Sequence, residues 1–184
     1  MRVGIEYPSL FAAIAPGGAG PAGIVESSQS GTPNLSPMSF GFTEGQYAMA
    51  AKNKIPVLFF GGTCDNMPIS ANAANWIRIS GAIAPETTQE TVANITANSG
   101  YGVERMTGLQ YDLDGMEIRP LDGSYYYIGS YYNEDGVCTF RTVAVEGAPH
   151  WLVMSEAAVV WEFLSQFARD PSTGELLYTN QQKR

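Results

Sequence analysis

Ile55-Pro56-Val57-Leu58-Phe59-Phe60-Gly61-Gly62 is an apolar run without polar alternation, opened by a proline and closed by two glycines. A strand with one wet face alternates apolar and polar side chains, so an unbroken run reads as a strand buried on both faces, as in a parallel sheet. Pro56 fits at its start. Leu10-Phe11-Ala12-Ala13-Ile14-Ala15, stopped by Pro16-Gly17-Gly18, has the same character and reads as a second such strand. The expected fold class is α/β.

Outward from these runs, residues 1–7 read as the last turns of a helix that Pro8 ends, so the chain is expected to begin inside an element. Residues 17–46, rich in Gly, Ser, Pro and Thr, read as a long excursion with a short helix near Glu44 to Ala51. Pro68 opens a helix to about Ser80 that places Ile69, Ala73, Trp76 and Ile77 on one face. Pro85 to Asn98 is polar and reads as a solvated surface helix at best. From Met116 to Val145 the pattern is β. Glu117–Arg119, Ser124–Tyr132 and Val137–Val145 are separated by Asp122-Gly123 and Asp135-Gly136, which predicts an antiparallel meander whose last strand enters the core. Ser155 can cap a helix to Arg169, with Ala157, Val160, Trp161, Leu164 and Phe167 on one stripe. Residues 1–170 are expected as one domain and 171–184 as a polar, mobile tail.

The 184 residues carry 10 Lys+Arg against 18 Asp+Glu, a formal charge of -8. That balance lacks the positive field that holds a phosphate backbone, so no nucleic-acid partner is expected. No apolar run is long enough to span a membrane, and Glu6 and Pro8 fall where a signal peptide needs its apolar segment. The chain therefore reads as soluble. Cys64 and Cys138 can make at most one bridge and lack metal-ligand spacing.

His150, the one histidine, follows the end of a predicted strand in Glu146-Gly147-Ala148-Pro149-His150-Trp151. Asp65 follows the strongest strand in Gly61-Gly62-Thr63-Cys64-Asp65. Catalytic groups of open α/β sheets gather at this carboxyl edge, and a carboxylate that fixes an imidazole which deprotonates a hydroxyl is the arrangement of nucleophilic acyl transfer. Read singly, an Asp after Gly-Gly is a turn former and a loop His a solvated residue. The order acid then His matches that of α/β-hydrolases.

Tyr7-Pro8-Ser9-Leu10-Phe11-Ala12-Ala13-Ile14-Ala15-Pro16, Pro56 to Asp65, and Gly147-Ala148-Pro149-His150 leading into Trp161-Glu162-Phe163-Leu164 resemble the carboxyl half of an α/β-hydrolase, nearest to the polyhydroxybutyrate-depolymerase and feruloyl-esterase-like serine esterases. The resemblance implies a truncated three-layer sandwich, the carboxyl half of a mostly parallel sheet, with the meander near 116–146. It implies Asp65 as triad acid, His150 as general base, a small-molecule or polymer-derived ester as substrate, and no cofactor or metal. That family places its nucleophile on a G-x-S-x-G elbow, and no G-x-S-x-G occurs in these 184 residues. The Ser and the oxyanion donors are thus expected upstream of Met1, the chain alone is expected to be inactive, and the strand at 10–16 is expected to self-associate through an unpaired edge.

Other signals carry less. Gly18-Ala19-Gly20-Pro21-Ala22-Gly23 fits G-x-G-x-x-G, but the Ser- and Pro-containing continuation cannot form the helix that cradles a pyrophosphate. Asp112-Leu113-Asp114-Gly115 lacks the later ligands of a calcium loop. Cys64 reads as a small buried filler. Trp151 could wall an acyl or aryl pocket or pack in the core. Tyr125, Tyr126, Tyr127, Tyr131 and Tyr132 divide between both faces of a strand, with core packing favoured over the alternative, a carbohydrate- or partner-binding platform in a non-catalytic fragment.

Overall fold

The structure is a computed structural model that describes residues 4, 6–17, 43–62, 73–83, 117–149 and 156–178. The described elements run α1 (Glu44–Asn53), β1 (Val57–Gly62), α2 (Ala73–Ser80), β2 (Glu117–Leu121), β3 (Ser124–Tyr132), β4 (Cys138–Val145), α3 (Glu156–Leu164), β5 (Phe167–Arg169) and β6 (Leu176–Tyr178).

Thr43 starts α1 with a reciprocal capping box, its hydroxyl accepting from the Gln46 N–H while the Gln46 side chain accepts from the Thr43 N–H. Tyr47 and Ala50, on one face of that helix, are fully buried. The helix ends on Lys54 at φ 48, and the Ile55 N–H then donates to the Ile79 carbonyl at the end of α2, which ties both helices to the start of β1.

Four strands form one mixed sheet in the order β1-β4-β3-β2. β1 and β4 run parallel, while β3 is antiparallel to both its neighbours. Among the described strands β1 and β4 pair in parallel, and the meander supplies the antiparallel pairs. The meander itself stands as the sequence predicts, with Asp122 (φ 48) and Gly123 (φ 79) both left-handed, as the favoured two-residue hairpin turn requires. Pro120 sits on the edge strand β2, where its missing N–H costs no ladder bond.

β1 buries both faces. Val57 and Phe59 join Tyr47, Ala50, Ile77, Ile79, Phe140 and Ala144 in a core under α1 and α2. Leu58 and Phe60 join Tyr126, Ile128, Val143, Val159, Phe163 and Phe167 in a second core under α3. Helices thus cover both faces of the sheet, and each fully buried Phe contributes about 2 kcal/mol of transfer free energy. Glu162 of α3 receives Arg119 at 2.7 Å and Arg141 at 3.1 Å, and the buried Arg141 guanidinium lies 5.6 Å from the Phe163 ring centre. These partners, Arg119 foremost, hold the Glu162 carboxyl below its ordinary range.

The segment at 10–17 departs from its expectation. It lies parallel beside β1 through the Ile14↔Val57 and Gly17↔Phe60 bridges, yet it is half-buried rather than a fully buried strand, and Leu10 is 72% exposed. Only one of its edges meets a described partner, and its alanines cover little area. Phe11 and Ile14 reach the first core while Ala12, Ala13 and Ala15 reach the second, so both faces are engaged as a parallel-sheet position demands.

The last helix is also corrected. It ends at Leu164, not Arg169, and it buries Glu156, Val159 and Phe163, while Ala157 and Trp161 of the expected stripe are exposed. Residues 171–178, read as the start of a polar tail, instead complete a hairpin in which β5 and β6 pair antiparallel, Phe167 opposite Tyr178. Arg169 locks that hairpin down by donating to the carbonyls of Phe11, Gly174, Pro8 and Asn53 at 2.9 to 3.0 Å. Among the described residues no helix is long and apolar enough to cross a membrane.

Candidate functional site

The site is built from the register of two strands. β1 and β4 stay paired from Val57↔Phe140 to Gly62↔Val145, so the two adjacent parallel strands end level with one another. Beyond β4 the chain turns at once. Gly147 adopts φ 69, and the Ala148 N–H donates back to the Val145 carbonyl at 3.3 Å. This turn lays Ala148-Pro149 across the end of β1. A Cβ on Gly62 would overlap the Ala148 carbonyl and stand 2.7 Å from the Pro149 oxygen, so the contact exists because residue 62 has no side chain. Backbone from after β4 therefore rests on the last residue of β1.

Asp65 lies three positions beyond Gly62, and His150 and Trp151 follow Pro149 directly. All three lie outside the described residues, as do Cys64, the glycine turn at 18–23 and Asp112-Leu113-Asp114-Gly115. What the described residues bring together is the pair of strand ends and the turn that lead into the first two.

One polar group on this rim has no counterpart in the sequence reading. Glu146 is fixed by its N–H, which donates to the Tyr125 carbonyl at 2.9 Å, and by its own carbonyl, which accepts the Ser124 hydroxyl at 2.7 Å. Its carboxylate accepts the Tyr127 hydroxyl at 3.4 Å. Burial, and after it the Glu146 charge, hold the Tyr127 phenol above its ordinary value, which keeps it a donor at neutral pH. The parity of β3 could have aimed Tyr127 at one face, but nothing local in the sequence pairs it with Glu146.

No family model and no curated protein matches this chain.

The tyrosine run divides as expected. Tyr126 is buried, and Tyr127 and Tyr131 pack partly buried on the first core. The exposed members, Tyr125 and Tyr132, lie at opposite ends of β3, about 23 Å apart at strand rise, too far to act as one platform. Among the described residues no three His, Cys, Asp or Glu side chains gather as metal ligands. Cys138 is a buried free thiol whose Sγ donates to the Phe140 carbonyl.

Proposed function

We propose that this chain carries the acid and the general base of a serine carboxylic-ester hydrolase of the α/β-hydrolase kind, Asp65 and His150. The observation that supports the reading is the level ending of parallel β1 and β4, with Ala148-Pro149 pressed on Gly62, since residue 65 follows Gly62 and residue 150 follows Pro149 closely in the sequence. Carboxyl ends of adjacent parallel strands are where such folds assemble catalytic groups.

The chemistry follows from the pair. The Asp65 carboxylate accepts the Nδ1 proton of His150, which fixes the tautomer and stabilises the imidazolium that forms. Nε2 then takes the proton of a serine hydroxyl as it attacks the ester carbonyl, and returns it to the departing alkoxide. Water, deprotonated by the same nitrogen, releases the acid from the acyl-enzyme. The serine and its oxyanion donors come from outside these 184 residues, since no G-x-S-x-G is among them. Trp151 forms a wall for the acyl or aryl group. The substrate class is an acyl ester, a short hydroxyalkanoate or a feruloyl or acetyl ester of plant cell wall. Self-association through the outward edge of residues 10–16 belongs to the same reading.

In the enzyme that joins these residues to their nucleophile, His150→Ala and Asp65→Asn each lower kcat for an aryl acetate on the order of 10,000-fold and leave KM nearly unchanged. Activity within about tenfold of wild type in either variant contradicts the assignment. Turnover by the 184 residues alone that vanishes in His150→Ala contradicts an external nucleophile.

A further inference from the structure

We infer that Tyr125, Tyr127 and Glu146, with Ile118 and Pro120 beside them, form a docking site for a lysine side chain of a partner protein; the inference is independent of the hydrolase reading. The register puts these five residues together. In β3, Tyr125 and Tyr127 flank the buried Tyr126 and share the opposite side of the sheet, about 7 Å apart along the strand. Ile118 and Pro120 of β2 stand directly across from Tyr127 and Tyr125, and directly opposed residues share a side. Ala144 is level with Tyr127, and the bond from the Glu146 N–H to the Tyr125 carbonyl carries this ladder two residues further, so Glu146 reaches the same side. Its Oε1 accepts the Tyr127 hydroxyl there.

The patch is exposed and carries one sign of charge. Tyr125 is 50% and Ile118 51% exposed, and Pro120 and Glu146 are exposed with them. Glu146 is fixed through its N–H, its carbonyl and Oε1. Among the described residues its Oε2 has no hydrogen-bond partner, and no Lys or Arg pairs with the carboxylate. Arg119, between Ile118 and Pro120 in β2, is level with Tyr126 and so lies on the other side of the sheet, where Glu117 and Glu162 each hold it at 2.7 Å.

This arrangement fits one ligand chemistry. Tyrosine rings and a carboxylate each attract positive charge, and a formal charge of -8 draws cations toward the chain. Ile118 and Pro120 offer apolar surface to an alkyl stem. One free carboxylate oxygen suits the point charge of an ammonium, whereas the paired donors of a guanidinium call for two. The ligand is therefore an alkylammonium, lysine rather than arginine.

The test titrates the 184-residue chain with Nα-acetyl-lysine methylamide and with its norleucine analogue, which keeps the stem and lacks the ammonium, by NMR at the tyrosine rings. At low salt the lysine compound moves the Tyr125 and Tyr127 resonances and binds about tenfold tighter than the norleucine one, and the gap narrows at about 0.3 M NaCl. Glu146→Gln narrows it about threefold, and Tyr125→Leu, which keeps apolar area without a ring, does so by a similar factor, while Tyr125→Phe preserves it. Amide spectra that match wild type outside the patch show that each variant is folded. Equal affinities for the two compounds, or a gap that neither Glu146→Gln nor Tyr125→Leu changes, overturn the proposal. Tighter binding of the matching arginine compound overturns the choice of lysine.

Discussion

Gly62 and Gly147 are both glycines of the rim, and they are required for different physical reasons. Gly147 is needed for its left-handed φ of 69, and beyond its chain neighbours none of the described residues comes within 4 Å of where a Cβ would stand. Gly62 is needed for space, because the Ala148 carbonyl occupies the position of its missing side chain. Alanine at 147 therefore costs about 1 kcal/mol of backbone strain, whereas alanine at 62 must displace backbone and costs about 3 kcal/mol. Urea midpoints of the two variants measure the difference, and Gly62→Ala also shifts the His150 ring resonances because its turn moves. A Gly62→Ala variant as stable as Gly147→Ala, with the imidazole signals unchanged, contradicts the close contact. Asp65 and His150 were legible as candidates because each follows a strand signal. The Gly62 contact was not, since it joins residues far apart in sequence whose turn geometry no local pattern encodes.

At the scale of elements, one carboxylate closes the turn of the carboxyl-terminal hairpin. Asp170 accepts from the N–H groups of Ser172 and Thr173 at 2.8 and 2.9 Å, and bonds to the Ser172 hydroxyl first lower its carboxyl to about 2. A carboxyl depressed on folding stabilises the fold above its unfolded value, 3.8, and that contribution is lost as pH falls through about 2. Amide exchange at Leu176–Tyr178 is therefore expected to quicken between these values and to be already fast in Asp170→Ala at neutral pH. Protection independent of both contradicts the role of Asp170. β1, β3 and β4 were readable because their lengths and turn residues agree, and Asp122-Gly123 places its hairpin as expected. The buried stripe of α3 is not legible in the sequence, because Ala157, Val159, Val160, Trp161, Phe163 and Leu164 surround its axis and admit several stripes. Contact with the sheet, through Val159 and Phe163, selects among them. β5 and β6, three residues each, are shorter than any periodic pattern can reveal.

At the scale of the molecule, the sheet continues past β1 into the 10–17 segment, which Arg169 pins through the Pro8 and Phe11 carbonyls. The Ile14 N–H and carbonyl and the Pro16 carbonyl all turn toward β1, which leaves the backbone groups of residues 13 and 15 on the outward edge. Self-association through that edge predicts a dimer by light scattering that Ala13→Pro dissociates, since proline removes an outward donor; a monomer at all concentrations contradicts it. In the proposed function, Asp65 and His150 meet beyond the ends of β1 and β4. The most direct measurement is the NMR titration of the one imidazole in wild type and in Asp65→Asn. A carboxylate at Nδ1 holds the His150 midpoint above that of an ordinary histidine, and Asp65→Asn lowers it. An identical midpoint in the two proteins would contradict the account.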